Sequence, residues 1–476
     1  MKLSAEFAFT LILPLCLTAT TGCVTQSKPV MATIQNPAAL AADSSRTGEK
    51  GGIGLSVVAS IENGDIDEIF DSIDQLSLAF EPTDLLTQIV NMPPGQFPEN
   101  RPEGGIEVGD IIDAINPDLI ALIQSIGDEI ADNVEAVLDT ISSEGYSKAF
   151  VSADLPIVIN AKALGGTWSM GVNWSGTAKA FVVADVIEFD AQQALDFLES
   201  NYNGLPLNDL VTFDLPGDIG ITIDPTGQVS LQVNNDSLLL TKAAETTAFS
   251  VGYSRQIWPN GRGGLYLGLE AKSYQMRLSR VDLRLGDITD SDEIFDSIRN
   301  TDFVSENGFD FDVGFLWASD NYQLGAMVTN INEASFNFPA ANEAVYSDLD
   351  IIDFLRQDRV YTMERQLTLE GSIFSGSRRW IVNFAYDKNV VPDLMGDDYQ
   401  WASVSGGYLT DSWWLPGIRA SYRQNLAGTE LAYVGVGVTI LKVLNFDVIS
   451  TLDTINIEGE ELPQGLMARI GFQVNF

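Results

Sequence analysis

The chain contains no histidine. That absence removes imidazole acid–base catalysis, Ser–His–Asp triads and histidine metal sites together. Cysteine is nearly as scarce. Only Cys16 and Cys23 occur, both near the start, so the rest of the chain has neither disulfide nor thiolate chemistry. Basic residues are few: 26 Lys plus Arg stand against 66 Asp plus Glu, for a net charge of −40 over 476 residues. Phosphate contacts need basic patches, so nucleic acid is excluded as a partner. The acid excess has two readings: solubility in a salty medium, or outer loops that bind cations and repel anions. There is also no run of about 20 apolar residues, hence no transmembrane helix. If such a chain spans a membrane, it does so as a closed barrel. Neither a nucleophile motif nor a cofactor motif is present. An enzyme is not expected, and no cofactor or metal is expected.

What is there is alternation. In residues 465–476, Leu466, Ala468, Ile470, Phe472, Val474 and Phe476 alternate with Met467, Arg469, Gly471, Gln473 and Asn475. Side chains on a strand point to opposite faces in turn, so this is a strand with one apolar and one polar face. A soluble sheet hides the apolar face under a second layer, whereas a transmembrane barrel turns it to lipid and keeps the polar face for the lumen. The pattern recurs over about 51–61, 147–160, 165–189, 246–257, 264–285, 307–317, 322–335, 361–374, 379–389, 399–409, 416–426, 430–441 and 443–451. With the terminal strand the expectation is an all-β transmembrane β-barrel of about fourteen antiparallel strands.

Connection lengths separate the two readings. On the side where Phe476 ends, the expected turns are short: 161–164, 258–263, 320–321, 375–378, 410–415 and Lys442. Every long connection falls on the other side: 62–146, 190–245, 286–306 and 337–360. Short periplasmic turns and long external loops mark outer-membrane barrels, and the expected location is the Gram-negative outer membrane. An even strand number leaves both termini on the periplasmic side. The last strand, ending at Phe476, would engage the barrel-assembly machinery, and outer-membrane lipid would be the surrounding partner. Trp168, Trp258, Trp317, Trp380, Trp401, Trp413 and Trp414 lie near strand ends and read as an interfacial girdle.

The N-terminal 1–23 read as a signal peptide, with Lys2 ahead of the apolar run 7–17. Thr20-Thr21-Gly22-Cys23 is a partial lipobox, which makes Cys23 a lipidation candidate; an ordinary export signal is the other reading. Residues 24–50 form a separate segment, and 51–476 the barrel with a helical insert at about 63–146. In that insert Ile66, Ile69, Phe70, Ile73 and Leu76 have helical spacing, as do Leu119, Ile123, Ile126, Ile130, Val134, Val137 and Ile141. The heptapeptide 67–73 recurs intact at 292–298. Asp287, Asp290, Asp292 and Glu293 read better as a solvated helix start than as a Ca²⁺ loop.

Parity assigns Asp154, Asp310, Asp312, Glu364, Glu370, Asp387, Arg419, Arg423, Asp447 and Arg469 to the lumen. They either pair across the interior or line a water-filled path.

Asn36-Pro37-Ala38 ahead of a fourteen-stranded barrel resembles the long-chain fatty-acid transporter (FadL-type) superfamily. There the motif belongs to an N-terminal hatch in the lumen. The glycine-rich segment that usually precedes it is missing, so the resemblance implies a partial hatch in 24–50. A closer resemblance is to the TraF-like conjugal-transfer barrel family. It is carried by Ser405-Gly406-Gly407-Tyr408, the run from Leu415 to Arg423, Val434-Gly435-Val436-Gly437-Val438, and Ala326-Met327-Val328-Thr329-Asn330-Ile331. The broader resemblance implies passive transport of small hydrophobic or weakly polar molecules. The alternative is a structural or interaction barrel of a conjugation or secretion apparatus, docking a partner protein through its helical cap.

Overall fold

The computed structural model describes residues 36–47, 50–64, 145–161, 165–186, 190–202, 236–260, 263–284 and 301–476 except 411 and 458–459. Three short strands between 211 and 233 and single residues between 124 and 142 are described as well. The signal segment, Cys23, most of the helical insert and both copies of the heptapeptide lie outside the described residues.

Fourteen strands close into one barrel. They are β1 (Gly51–Asn63), β2 (Tyr146–Ala161), β3 (Gly166–Val183), β4 (Leu238–Asn260), β5 (Gly263–Arg284), β6 (Val304–Ser319) and β7 (Tyr322–Thr329), then β8 (Gln366–Phe374), β9 (Trp380–Asp387), β10 (Trp401–Tyr408), β11 (Gly417–Asn425), β12 (Ala432–Ile440), β13 (Leu444–Thr451) and β14 (Gly465–Asn475). Each pairs antiparallel with its sequence neighbour, and β14 closes on β1 in the register Gly52–Asn475 to Glu62–Gly465. Closure leaves no free edge, which is what a strand in hydrocarbon requires.

The wall is lopsided. β4 and β5 run 23 and 22 residues, whereas β7, β9, β10 and β13 have 8. At a rise of about 3.3 Å per residue, the long strands stand far above the short ones on the outer side. Parity explains the boundary. On β6 the outward residues run Trp317, Phe315, Val313, Phe311 and Phe309, then change to Asn307 and Ser305. Neighbouring β5 changes at the same level, from Leu269 and Ala271 to Ser273, Gln275 and Arg277. Arg277 then bonds Glu245 of β4 on the outer surface. The apolar belt therefore ends where polar residues begin, and the rest of β4 and β5 projects beyond it.

At the other end of the belt the aromatic girdle is present. Trp168 packs on Tyr253 at 4.9 Å, Trp380 on Tyr408 at 5.1 Å, and Trp317 donates to the Tyr322 hydroxyl at 3.3 Å. Trp258, Trp413 and Trp414 lie at this same end, exposed. Trp401 departs from the expectation. It begins β10 with its ring in the lumen, stacked against Arg423, because its odd position shares the inward face of Ser403 and Ser405.

The largest differences from the sequence reading are at four strand ends. β3 stops at Val183, β4 starts at Leu238, and the wall leaves β7 at Thr329 and rejoins at Gln366. Ser335–Asn337 and Val360–Thr362 form a separate ribbon. The turn expected at Lys442 alone takes Leu441 and Lys442, both with positive φ (49° and 57°), as a two-residue hairpin turn demands.

The N-terminal helix α1 (Ala39–Thr47) lies inside the barrel against β3, β4 and β5. Among the described residues, α2 (Ala191–Tyr202) and α3 (Leu349–Gln357) sit in outer connections.

Candidate functional site

The site is the lumen, and it is stoppered at both ends. The floor is built from three glycines. Gly268 of β5 and Gly314 of β6 are cross-strand partners, and Gly325 lies on the adjoining β7. All three fall on the inward face, where the missing side chains leave a flat bed. A Cβ at Gly268 would stand 2.2 Å from the Ala38 nitrogen and the Pro37 carbonyl carbon. One at Gly314 would stand 2.0 Å from Asn36 Oδ1, and one at Gly325 3.0 Å from Asn36 Nδ2.

Asn36-Pro37-Ala38 occupies this bed. Asn36 Nδ2 donates to Glu370 Oε1 at 2.7 Å and to the Phe315 carbonyl at 3.3 Å. Its Oδ1 accepts from the Ala38 nitrogen at 2.9 Å, and its carbonyl from the Ala39 nitrogen at 3.0 Å. That is an Asx turn opening a helix, with Pro37 supplying a preset φ. Ser254 of β4 bonds both the Ala38 carbonyl (3.1 Å) and the Ala41 nitrogen (3.3 Å). Ala38, Leu40 and Ala42 are fully buried. Small residues at 38, 41 and 42 let α1 lie close on Tyr266, Leu316 and Ala318.

The roof comes from two outer connections folded inward. The first is 330–365. Asp310 and Asp312, on the inward face of β6, start it. Asp310 Oδ1 accepts from the Asn332 nitrogen at 2.9 Å, and Asp312 Oδ1 from the Asn330 nitrogen at 3.1 Å. These carboxylates turn the chain into the lumen instead of facing open water. The connection then covers the tall wall. Phe336 and Phe338 pack with Met276 and Leu278 of β5, and Ile351 and Leu355 of α3 with Leu238 and Leu240 of β4. Asp348 caps α3, accepting from the Asp350 and Ile351 nitrogens at 2.7 and 3.0 Å. Asp236 secures the helix start through the Ser347 and Asp348 nitrogens, both at 2.6 Å, and pairs with Arg284 at 2.8 Å.

The second connection is 388–400, and lysines of the wall clamp it. Lys148 of β2 pairs with Asp393 and, at 2.8 Å, with Asp397. Lys179 of β3 also pairs with Asp397. Lys242 of β4 reaches both connections, through Asp358 Oδ1 at 2.8 Å and the Met395 carbonyl at 3.5 Å. Arg280 of β5 donates to the Leu355 carbonyl at 2.9 Å.

Burial pushes the Asp397 carboxyl up, but the two ammonium groups outweigh it and hold it below the ordinary aspartate range. A depressed carboxyl contributes stability that is whole above its unfolded value and is lost as pH falls through the folded one. The clamp should therefore hold from neutral pH through about pH 4 and release only below it. Pepsin digestion checks this: residues 388–400 should stay uncut at about pH 4.5 and be cut at about pH 2.5. Equal cutting at both would remove the clamp's dependence on Asp397.

Between floor and roof lies a cavity of about 640 Å³. Lys272 spans its wall, 2.5 Å from Asp312 and 3.9 Å from Glu270. Glu370, Asp387 and Arg423 line it. Asp387 accepts from the Thr368 hydroxyl at 2.7 Å and the Trp401 nitrogen at 3.2 Å. Arg423 lies over Trp401 and Tyr433, 4.1 and 4.8 Å from the ring centroids.

Arg419, Asp447 and Arg469 meet on the wall of β11–β14. Arg419 Nε bonds Asp447 Oδ1 at 2.8 Å, and Asp447 is the register partner of Arg469. This pairing explains Gly437, the second glycine of the Gly-x-Gly strand. A Cβ at Gly437 would stand 2.0 Å from Asp447 Oδ1 and 2.8 Å from Arg419 Nε, so the bridge passes over that glycine. Gly437→Ala should cost about 2 kcal/mol, read as a lower urea midpoint of the folded protein in detergent. The same substitution in an Asp447→Asn background should cost much less. An undiminished loss there would place the damage elsewhere.

One assigned residue is not in the wall. Glu364 lies in the link between the ribbon and β8, exposed to solvent, because β8 begins only at Gln366. The residues that parity reasoning passed over are the inward lysines and arginines of β2–β5, although their alternation is visible in the sequence.

A closed wall with an apolar belt, an aromatic girdle and a stoppered polar lumen defines a transmembrane β-barrel. The chain belongs to the family described as F plasmid transfer operon, TraF, protein, whose profile matches residues 33–387, well over half of its length. No curated protein sequence matches it. Among solved structures it is similar to a FadL homologue of Pseudomonas aeruginosa (10% identity, 96% of this chain and 95% of that chain covered, TM-score 0.40). It is also similar to the toluene transporter TodX of P. putida (12%, 94% and 94%, 0.39) and to the toluene transporter TbuX of Ralstonia pickettii (10%, 96% and 96%, 0.36).

Proposed function

We propose that the protein is an outer-membrane conduit of a Gram-negative bacterium for the passive passage of small hydrophobic or weakly polar molecules, and not a catalyst. The observation that carries this reading is the lumen cavity between two inserted segments, which stand on a different footing from the wall. Strand ladders of 8 to 23 residues hold the wall, whereas side-chain bonds and small apolar clusters seat each stopper. Parts held so differently open at different cost, and the cheapest motion clears the lumen. The 36–47 segment acts as a hatch in this reading. Purified protein reconstituted in lipid vesicles should raise their permeability to small uncharged solutes. A barrel that folds in vesicles and passes none would end the proposal.

The family's link to a plasmid transfer operon favours a second reading, a barrel that docks a partner protein through the insert 66–141. Deleting that insert should then abolish capture of the partner while the barrel still resists heat on gels. Capture that survives the deletion would dismiss the docking role.

A further inference from the structure

We propose that the lumen cavity admits uncharged, ring-bearing solutes with hydroxyl or amide groups and turns away both carboxylate-bearing molecules and bare hydrocarbon. This rests on the transport reading above and narrows its substrate class. The volume, about 640 Å³, is that of a pocket for a small molecule. Its surfaces are of three kinds. Tyr274, Tyr361, Trp401 and Tyr433 supply aromatic faces. Asn173, Thr177, Ser403, Ser405 and Asn383 supply hydroxyls and amides on the inward faces of β3, β9 and β10. Asn173 already bonds Asp154, and Asn383 bonds Ser372 and Ser405, so what a hydrocarbon would strip of water is the remaining hydrogen-bonding capacity of this polar wall, including the Thr177 and Ser403 hydroxyls, which opposes entry. A ring carrying hydroxyls satisfies both kinds of surface.

The charges decide against anions. The cavity's two lysines are already matched: Lys148 by Asp393 and by Asp397, which it shares with Lys179, and Lys272 by Asp312 and Glu270. Arg423 is covered by the Trp401 and Tyr433 rings. Three carboxylates on the cavity wall hold neutral donors. Glu62 takes the Tyr146 and Tyr433 hydroxyls. Glu370 takes the Asn36 amide, and Asp387 the Thr368 hydroxyl and the Trp401 nitrogen. An entering carboxylate thus meets a surplus of its own sign in a confined space, where the repulsion is poorly screened.

The test uses the full barrel in vesicles with two solutes that share a ring and differ in charge, phenyl β-glucoside and phenyl β-glucuronide. Both cross bare lipid slowly. The glucoside should pass on the order of tenfold faster than the glucuronide, the size expected of one unfavourable charge contact. Asp387→Asn should narrow the ratio by raising glucuronide flux. Saturating toluene should leave glucoside flux unchanged. Equal passage of the two glycosides, faster passage of the glucuronide, or inhibition by toluene would overturn the selectivity while leaving transport intact. A folded barrel that passes neither solute would overturn the transport reading and the selectivity with it.

Discussion

Gly268→Val should expel the 36–47 segment from the lumen. The added Cβ would stand 2.2 Å from the Ala38 nitrogen and the Pro37 carbonyl carbon. These are main-chain atoms, so no rotamer change relieves the overlap, and the segment itself must lift. Lifting breaks the bonds of Asn36 to Glu370 and Phe315 and of Ser254 to the helix start. It also returns Ala38, Leu40 and Ala42 to water. The combined cost to the seat is about 3 kcal/mol or more, enough to raise the open population on the order of 100-fold. The wall is untouched, because Gly268 keeps its ladder partner Gly314.

The measurement is maleimide labelling of Ala42→Cys, with Cys16 and Cys23, the chain's only cysteines, replaced by serine. Labelling should be slow in the parent and on the order of 100-fold faster with Gly268→Val. Gly376→Val is the control, since a side chain there would meet nothing within 4 Å. Equal rates in all three proteins would mean that the glycine bed does not seat the segment.

The wall was legible in the sequence because barrel strands obey one rule, alternation, over their whole length. Phe309, Phe311, Val313, Phe315 and Trp317 declare their face without help from any other strand. The sorting of short and long connections adds a second, independent signal. The stoppers were legible only in part. Asn36-Pro37-Ala38 stood out as a motif. Its bed did not, because Gly268, Gly314 and Gly325 come from three strands and matter only once those strands are in register.

The roof failed for a related reason. Asp310 and Asp312 lie on the inner face of β6, but their partners are backbone nitrogens at 330 and 332, which no sequence pattern marks. Helix α3 was readable in principle, from Asp348 followed by Ile351, Ile352 and Leu355 at helical spacing. The signal is short and sits between two alternating strands, whose period dominates the stretch. Trp401 shows the limit of residue type as a guide: near a strand end a tryptophan suits the girdle, and only its parity with Ser403 and Ser405 places it inside.

Lys148→Met with Lys179→Met should release the 388–400 connection from the lumen. Met preserves most of each stem and removes only the charge, so packing along the wall is kept. What remains is Asp393 and Asp397, partly buried, side by side and without the cations that held them. Removing one side of such a pair costs more than the pair itself contributes, because the stranded charge must find water. The carboxylates can do so only by swinging outward, and the connection goes with them. The expected penalty is about 3 kcal/mol, which corresponds to an opening on the order of 100-fold more frequent.

Endoproteinase Asp-N, which cuts before aspartate, reads this directly at 393, 397 and 398. Cleavage of the folded protein in detergent should rise by that factor and stay confined to this connection. Adding Asp393→Asn and Asp397→Asn to the double variant should slow cleavage at Asp398, the one of these positions that keeps its aspartate, since neutral amides tolerate the lumen better than unpaired carboxylates. The parent's slow cleavage should also change little with salt, because the ion pairs are shielded from the bulk. If the double lysine variant is cut no faster than the parent, the roof is held by its apolar contacts, chiefly Met395 against Phe336 and Phe338, and not by charge.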